Sequence, residues 1–536
     1  MCGIVGINGH NISEDLKEML ISIKHRGPDD SGIWINNELK TEEISKIINL
    51  ESNFGMGHNL LSIVGCQASQ PIVNDKWVLV CNGEIYNFRE IKKTLNNFSN
   101  NDFKTDSDCE IVINLNKHYN DVLNLNDDFE SDNSNKLCIE SLKKTMQKMD
   151  GDYAFALWDG QNLALARDPV GVKPLYYGKN GKISAFASER KALWKIGIKE
   201  VNSLPPGHIL FNDELILAES LLEVDDGTSN ENIGYLNTPD NSNAPNTSDS
   251  SNSINTREIT SAGLNETLNY YKDKLRNDLE NSVHKRIQGL EKVGLIFSGG
   301  VDSTIIASVL KESEIDTKLY SVGTRNSPDF QFSLKAAEYY DLKIKTLEVN
   351  ENVVKNSLKP VLEAIEEFNV MKIGVAMPIY LASKMAGEDK LKVVLSGQGA
   401  DELFGGYHRY LNDYANHGDN TQNILKDDIR NIYHVNLQRD DAATMAHGVE
   451  LRVPFLDKEV IKTAFKIPMQ FKIESETDLL RKHILRQVAL EMGVPEFIAQ
   501  RPKKAAQYGS GIHKILTKKV LKDFDEISFM KQLRGF

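Results

Sequence analysis

"VGLIFSGGVDS", residues 293–303, decides how the second half of this chain folds. An apolar run ends in Ser298-Gly299-Gly300, and helical spacing begins near Asp302-Ser303. Two glycines let a backbone approach a ligand closely. The amides of such a loop and of the following helix N-terminus can hold an anion, and hydroxyls add donors. A monophosphate or a pyrophosphate suits the site. Asp302 would repel phosphate unless a cation sits between them, which makes it a candidate Mg2+ ligand. The stretch lacks the Gly-Lys-Ser/Thr ending of a Walker loop and the GxGxxG spacing of a dinucleotide turn. On these residues alone, an ordinary strand–turn–helix with an Asp/Ser cap stays as the alternative.

Downstream, strand and helix patterns alternate. "KLYSVGT", "KIKTLEV" and "KVVLSG" read as strands, while "DSTIIASVLKES", "FSLKAAEYYD" and "PIYLASKMAG" read as helices. Alternation of this kind predicts a doubly wound parallel sheet, an α/β domain, with a mostly helical C-terminal portion. "VVLSGQGADELFGGY", residues 393–407, repeats the first motif: Ser396-Gly397 closes a strand, and Asp401-Glu402 follows a glycine-rich turn. Ligands of open α/β sheets bind outside the carboxyl ends of the strands. Both turns are therefore expected at one crevice, with Asp302 and Asp401 as Mg2+ ligands. Taken alone, the acidic pair reads as a helix start favoured by the macrodipole.

Upstream the character changes. "GIVGI", "WVLVCNG", "YAFALWD", "LALARD", "PLYYG" and "ISAFAS" are short β-type runs punctuated by Gly, Asn and Asp, with few helical patterns such as "CEIVINLNKHY". That is a β-rich α+β reading. Residues 224–263 are dominated by Asn, Ser, Thr and Asp. Such a segment buries too little surface to offset its ordering entropy, so it reads as a linker or disordered insertion. The predicted organisation is a first domain over 2–222, a linker over 223–262 and a second domain over 263–536. A shorter Asn-rich loop is expected at 124–135.

With 536 residues, two domains are the default. A net charge of −13 argues against a nucleic-acid binder, which would show a basic stripe. No apolar run approaches a membrane span and no secretory leader is visible, so a cytoplasmic protein is expected. Cys2, Cys66, Cys81, Cys109 and Cys138 all lie in the first third and form no CxxC pair, which reads as reduced thiols. Cys2 differs from the rest. Loss of Met1 would make it the N-terminus, where a thiol can use its own α-amine as base.

Together these stretches resemble the glutamine-hydrolysing asparagine synthetases over nearly the whole chain. "SGGVDS" resembles the pyrophosphate loop of N-type ATP pyrophosphatases. "MCGIVG", "HRGPDDSG" (25–32), "NGEIYN" (82–87), "TDSDCE" (105–110) and "RDPVGVKPLYY" (167–177) look like a class II glutaminase domain. "GVELRVPFLD" (448–457) and "RKHILR" (481–486) look like the synthetase half. The resemblance implies an N-terminal Ntn-hydrolase sandwich in which the Cys2 thiolate attacks the amide of glutamine. Asn82 and Gly83 would form the oxyanion hole. Leu60, Leu61, Ser62, Ile63, Val64, Glu84 and Asp108 would join them around glutamine, with Glu84 and Asp108 on its amino group. In the second half it implies ATP contacts at Ile296, Ser298, Gly299, Gly300, Asp302, Ser303, Val322, Ser396 and Gly397. Lys503 would stabilise charge on the α-phosphate.

The implied reaction forms β-aspartyl-AMP and pyrophosphate from aspartate and ATP with Mg2+. Ammonia released at Cys2 then displaces AMP. The expected partners are these small molecules, not nucleic acid or membrane, and a homodimer is left open. His25, His58, His434, His447 and His483 are expected to be capping or core residues. Cys66, Cys81 and Cys109 are expected to be packing residues.

Two positions depart from the family pattern. In "HNLLSI", Leu60 stands where an arginine would bind the glutamine carboxylate; Arg26 or Arg89 is a candidate substitute donor. In "SGQG", Gln398 replaces a glutamate implicated in forming the intermediate. Gln keeps the length but cannot act as a base. The alternatives are a β-lactam-synthetase-like ligase with another carboxylate acceptor and a catalytically silent glutamine-sensing protein.

Overall fold

A computed structural model describes residues 2–40, 51–63, 70–98, 103–124, 138–222, 261–502 and 506–535. Val64, Cys66, Lys503, most of the 124–135 stretch and the linker through residue 260 lie outside the described residues.

The first half is built from thirteen strands: β1 (Gly3–Asn8), β2 (Asp30–Ile35), β3 (Glu38–Lys40), β4 (Phe54–Leu60), β5 (Ile72–Asn74), β6 (Trp77–Ile85), β7 (Gly151–Trp158), β8 (Leu163–Arg167), β9 (Tyr176–Lys179), β10 (Ser184–Ala187), β11 (Val201–Ser203), β12 (His208–Phe211) and β13 (Glu214–Leu217). They pair into two antiparallel sheets of order β11-β9-β10-β1-β4-β2-β3 and β13-β12-β8-β7-β6-β5. The period-2 alternation of a strand explains why these runs are apolar on both faces. On β6, Val78 and Val80 point into the space between the sheets, against Ile4, Met56 and Phe186. Trp77, Leu79 and Cys81 point the other way, onto Ile111, Leu115, Leu142 and Met146 of the helices Ile111–Asn124 and Ile139–Lys148. The outer face of the β1 sheet takes the helix Ser13–Ser22 through Leu16, Met19 and Leu20. The result is the expected sandwich, helices outside two face-to-face antiparallel sheets.

The second half opens with the helix Ser261–Ile287 and then forms β14 (Lys292–Ile296), β15 (Asp316–Gly323), β16 (Lys343–Glu348), β17 (Val393–Leu395) and β18 (Glu450–Arg452). All neighbours are parallel, in the order β16-β15-β14-β17-β18. Val293, Leu295, Leu319, Val393, Val394 and Leu395 belong to one core cluster with the covering helices. Two covered faces are why these strands read as continuous apolar runs. The chain moves outward from β14 in one direction, then returns to β17 on its other side. Strand order therefore reverses between β14 and β17, the place where ligands bind.

The two halves share a tightly made boundary. Val170, Val172 and Leu222 join the core cluster of the second half. The Asp168 carboxylate accepts from the N–H groups of Val170, Gly171, Val172 and Lys173 and thereby shapes the 170–173 turn. Arg26 is fully buried; its guanidinium donates to Glu189 at 2.9 Å and to Asp441 of the second half at 2.8 Å. Arg452 donates to Glu450 at 2.6 Å and to Glu84 of the first half at 3.0 Å.

Candidate active sites

Cys2 sits at the start of β1, in the centre of its sheet. Asn82-Gly83-Glu84 lie near the end of β6 in the facing sheet. The sandwich brings these two strands together, and Cys2 N donates to Asn82 Oδ1 at 2.9 Å. Asn82 is fully buried, and its Nδ2 has no acceptor among the described residues. A sealed amide donor beside a cysteine is what an oxyanion hole requires. Burial pushes the Cys2 thiol up to about 11, with the Leu61 N–H working in the opposite direction. Arg26 Nε donates to Cys2 O at 3.1 Å and fixes the start of the chain.

Asp108 Oδ2 accepts from Ile85 N at 2.7 Å. Its carboxyl is pushed up to about 7, first by burial and then by the Glu84 charge. Burial also raises the Glu84 carboxyl, while Arg452 works to lower it. The two carboxylates thus share one pocket beside Asn82, as a substrate ammonium needs. Leu60 ends β4 half-buried, with its carbonyl accepting from Asp29 N. Leu61 is buried against Met445 of the second half. Ser62 N donates to Asp29, and Ser62 O accepts from Lys392 at 2.6 Å, while Ile63 packs beside the Leu61–Met445 contact. Arg26 does not replace the missing arginine: its nitrogens are engaged by Cys2 O, Glu189 and Asp441. Arg89 is exposed and lies over the Phe88 ring. No local motif marks these contacts, because the partners of Arg26 are remote in sequence.

The second site lies at the β14/β17 reversal. After Ile296, the backbone turns through Ser298-Gly299-Gly300 into the helix Val301–Glu312. Gly299 has φ +63°, and a Cβ there would lie 2.5 Å from Phe332 C and Ser333 N. Ser303 Oγ and Thr304 Oγ1 donate to Gly300 O, pinning the turn to the helix start. The 396–399 turn closes against it: a Cβ on Gly397 would lie 2.9 Å from Asp302 Cβ. Both turns therefore line one cleft, together with Ile296, Val322, Ser298, Ser303, Ser396, Gln398, Asp302 and Asp401.

Lys482 Nζ bridges the two acids, 2.8 Å from Asp302 and 2.5 Å from Asp401, and its side chain is fully buried. The two carboxylates converge on positive charge. Among the described residues no group of three or more His, Cys, Asp or Glu could hold a metal. Two carboxylates plus substrate phosphates is the ligand set Mg2+ prefers, so the acids fit it.

A family model described as Asparagine synthase matches residues 274–423 and 415–532, and one described as Glutamine amidotransferase domain matches 58–195. A Methanocaldococcus jannaschii protein named "Putative asparagine synthetase (glutamine-hydrolyzing) 1" is 39% identical over 97% of this chain and 95% of its own length. The chain belongs to the glutamine-hydrolysing asparagine synthetase family. Asparagine synthetase 3 of Arabidopsis thaliana is 28% identical over 96% of this chain and 79% of its own. Asparagine synthetase 1 of Saccharomyces cerevisiae is 26% identical over 92% and 81%.

Within this family frame, Lys482 and Arg501 are the residues that motif reading passed over. Arg501 donates to Gly299 O at 3.0 Å and pairs with Asp329 at 2.5 Å, so it braces the phosphate turn. Lys482 stands inside "RKHILR" and Arg501 two residues before Lys503, but nothing local marks them; Lys482 meets Asp302 across 180 positions. Of the five histidines expected as capping or core residues, His434 is exposed against the Tyr433 ring, and His25 meets Glu189 at 3.0 Å. His58 is buried and burial drives it down to about 3, His447 lies edge-on to Tyr380, and His483 meets Asp478 at 2.7 Å. Cys81 and Cys109 are buried packing residues.

Proposed function

We propose that the chain makes asparagine from aspartate and ATP, with ammonia taken from glutamine or supplied free. The observation that carries this is the cleft at the β14/β17 reversal, where two glycine turns and the Asp302–Lys482–Asp401 cluster meet. The same chain sets Cys2 against Asn82. Domain limits of 2–222 and 263–536 with a linker between them, and a cytoplasmic location, belong to the same reading. Among the described residues no helix is long and apolar enough to cross a membrane.

Once Met1 is removed, Cys2 N becomes an α-amine with a pKa near ~8, close enough to neutral to take the thiol proton. The thiolate attacks the glutamine side-chain amide, and Asn82 Nδ2 with Gly83 N–H hold the developing oxyanion. Glu84 and Asp108 receive the substrate ammonium. In the second site, loop amides at Gly299 and Gly300 and the hydroxyls of Ser298 and Ser303 hold phosphate oxygens, with Ser396 and Gly397 on the facing turn. Backbone groups of Ile296 and Val322 read the adenine. Asp302 and Asp401 would hold Mg2+, whose charge would offset that of the phosphates. Lys503 adds charge at the α-phosphate. The aspartate β-carboxylate displaces pyrophosphate, and ammonia then displaces AMP. Gln398 cannot serve as a base in forming the intermediate. The buried Leu61–Met445 contact supports a dry passage between the halves.

Product analysis by mass spectrometry tests the reading, using ATP, Mg2+, aspartate and either glutamine or ammonium. Asparagine, AMP and pyrophosphate are expected with both donors. Cys2→Ala should abolish the glutamine-dependent product and spare the ammonium-dependent one. Equal loss with both donors, or amidation of another acid in preference to aspartate, would refute it.

A further inference from the structure

Four acids line the synthetase cleft, three of them engaged by Lys482 and Arg501, which do not line it themselves. Asp302, Asp329, Asp401 and Glu402 all line it, and among its described lining residues Arg439 is the single cation. Arg439 is 7% exposed. It is held from two sides: Nε donates to Asp440 at 2.7 Å and Nη1 to Asn436 Oδ1 at 3.3 Å. Asn436 belongs to the π-helical turn Tyr433–Leu437, which precedes the helix Gln438–Met445. Its Nδ2 donates to Glu402 Oε1 at 2.7 Å, and Tyr407 donates to the same oxygen at 2.8 Å. Arg439 Nη2 has no acceptor among the described residues, and it is not sealed from the cleft as the buried orphan groups are. A π turn inside a longer helix commonly marks a working site.

A second carboxylate enters this cleft with the substrate. The proposed reaction uses the β-carboxylate of aspartate as nucleophile, so the α-carboxylate must be held elsewhere. Lys482 and Arg501 are committed to Asp302, Asp401 and Asp329, so a further anion in this cleft needs another cation. The glycine turns and the helix start after β14 serve the phosphates, while Arg439 belongs to a separate group on the cleft lining with Asn436, Glu402 and Tyr407. We propose that Arg439 binds the α-carboxylate of the acceptor amino acid and is the residue that selects aspartate. This rests on the synthetase reading given above. A guanidinium with a preset fork suits a carboxylate, and neighbouring Asp440 and Asn436 fix its orientation in advance.

The experiment compares three acceptors by ATP-dependent pyrophosphate release. β-Alanine is aspartate without its α-carboxylate, and succinate is aspartate without its α-amine. The wild type should favour aspartate over β-alanine by at least about tenfold to a hundredfold in kcat/KM, the range of one charge-assisted bond. Arg439→Met should bring aspartate and succinate down by that factor and leave β-alanine unchanged, with the KM for ATP unmoved. Arg439→Lys should keep part of the preference, and it covers the case in which Arg439→Met fails to fold, read by thermal melting. A wild type that uses β-alanine as well as aspartate would overturn the assignment. So would equal losses on aspartate and β-alanine in the variants, or a loss that appears in the KM for ATP, which would make Arg439 a phosphate ligand. If the wild type releases no pyrophosphate with aspartate, the synthetase reading itself falls, and this assignment with it.

Discussion

Leu60 stands in the glutaminase site where the motif reading expects an arginine. It ends β4 without a hydrogen-bonding side chain, and the nearest candidate replacement, Arg26, is committed to Glu189 and Asp441. A charge-assisted bond to the glutamine carboxylate typically contributes about 1.5–3 kcal/mol, so its loss weakens binding by about tenfold to a hundredfold. Leu60→Arg should lower the KM for glutamine several-fold and leave ammonium kinetics unchanged; a glutamine KM unmoved by the substitution would contradict this. Asp108 governs the pH dependence of the same pocket. Its carboxyl is pushed up to about 7. Above that pH it is ionised and can pair with the glutamine ammonium; below it the proton removes the charge. The KM for glutamine should therefore fall as pH rises through 7, and Asp108→Asn should raise KM and flatten that profile. A pH-independent KM between about 6 and 8 in the wild type would refute the role.

At the scale of elements, the turn from β14 into the helix Val301–Glu312 is held by geometry that admits no side chain at Gly299. The left-handed conformation alone costs an L-residue about 1–2 kcal/mol, and the Cβ would also meet the backbone of Phe332 and Ser333 at 2.5 Å. Gly299→Ala should push the turn away from the helix Pro328–Tyr340 and spoil the phosphate cradle. Pyrophosphate release should fall at least about tenfold while glutamine hydrolysis by Cys2 continues. Undiminished release would show that the turn does not carry phosphate. The longer strands were legible from their apolar runs: "WVLVC" on β6 and "YAFALW" on β7, where one face meets the partner sheet and the other meets helices, and "VGLI" on β14, covered on both faces. The π turn Tyr433–Leu437 was not legible, since one extra residue in a helical turn leaves no signature in hydrophobic spacing.

At the scale of the molecule, the two chemistries are joined by buried charge. Arg26 spans the boundary with Asp441, Arg452 spans it with Glu84, and Lys458 of the second half donates to Glu219 at 2.8 Å. Buried pairs of this kind add specificity of docking more surely than net stability, because desolvation offsets much of the attraction. Breaking one is costly all the same. Asp441→Asn leaves Arg26 paired with Glu189 but loosens the contact between halves. The expected result is fewer asparagines formed per glutamine hydrolysed, with ammonia lost to solvent, while ammonium-dependent synthesis stays near normal. A one-to-one ratio retained in the variant would show that this pair does not hold the passage closed.

By itself the sequence determined the two fold classes and the two reaction centres. Those depend on local rules: the period of apolar residues, glycines at a strand end, an acid at a helix start, a cysteine beside the initiator Met. It also exposed Leu60 and Gln398, since a departure from a motif is visible wherever the motif is. Tertiary structure alone decided what completes each centre. Lys482 reaches Asp302 and Asp401, Arg26 reaches Asp441, and Arg439 reaches the acidic cleft only because the parallel sheet and the sandwich carry distant segments to the same place. Long-range ion pairs have no sequence period, and a buried arginine or lysine looks in a linear chain like any solvated one. Its role is set by which carboxylates the fold leaves within 3 Å of it, and that is a property of packing.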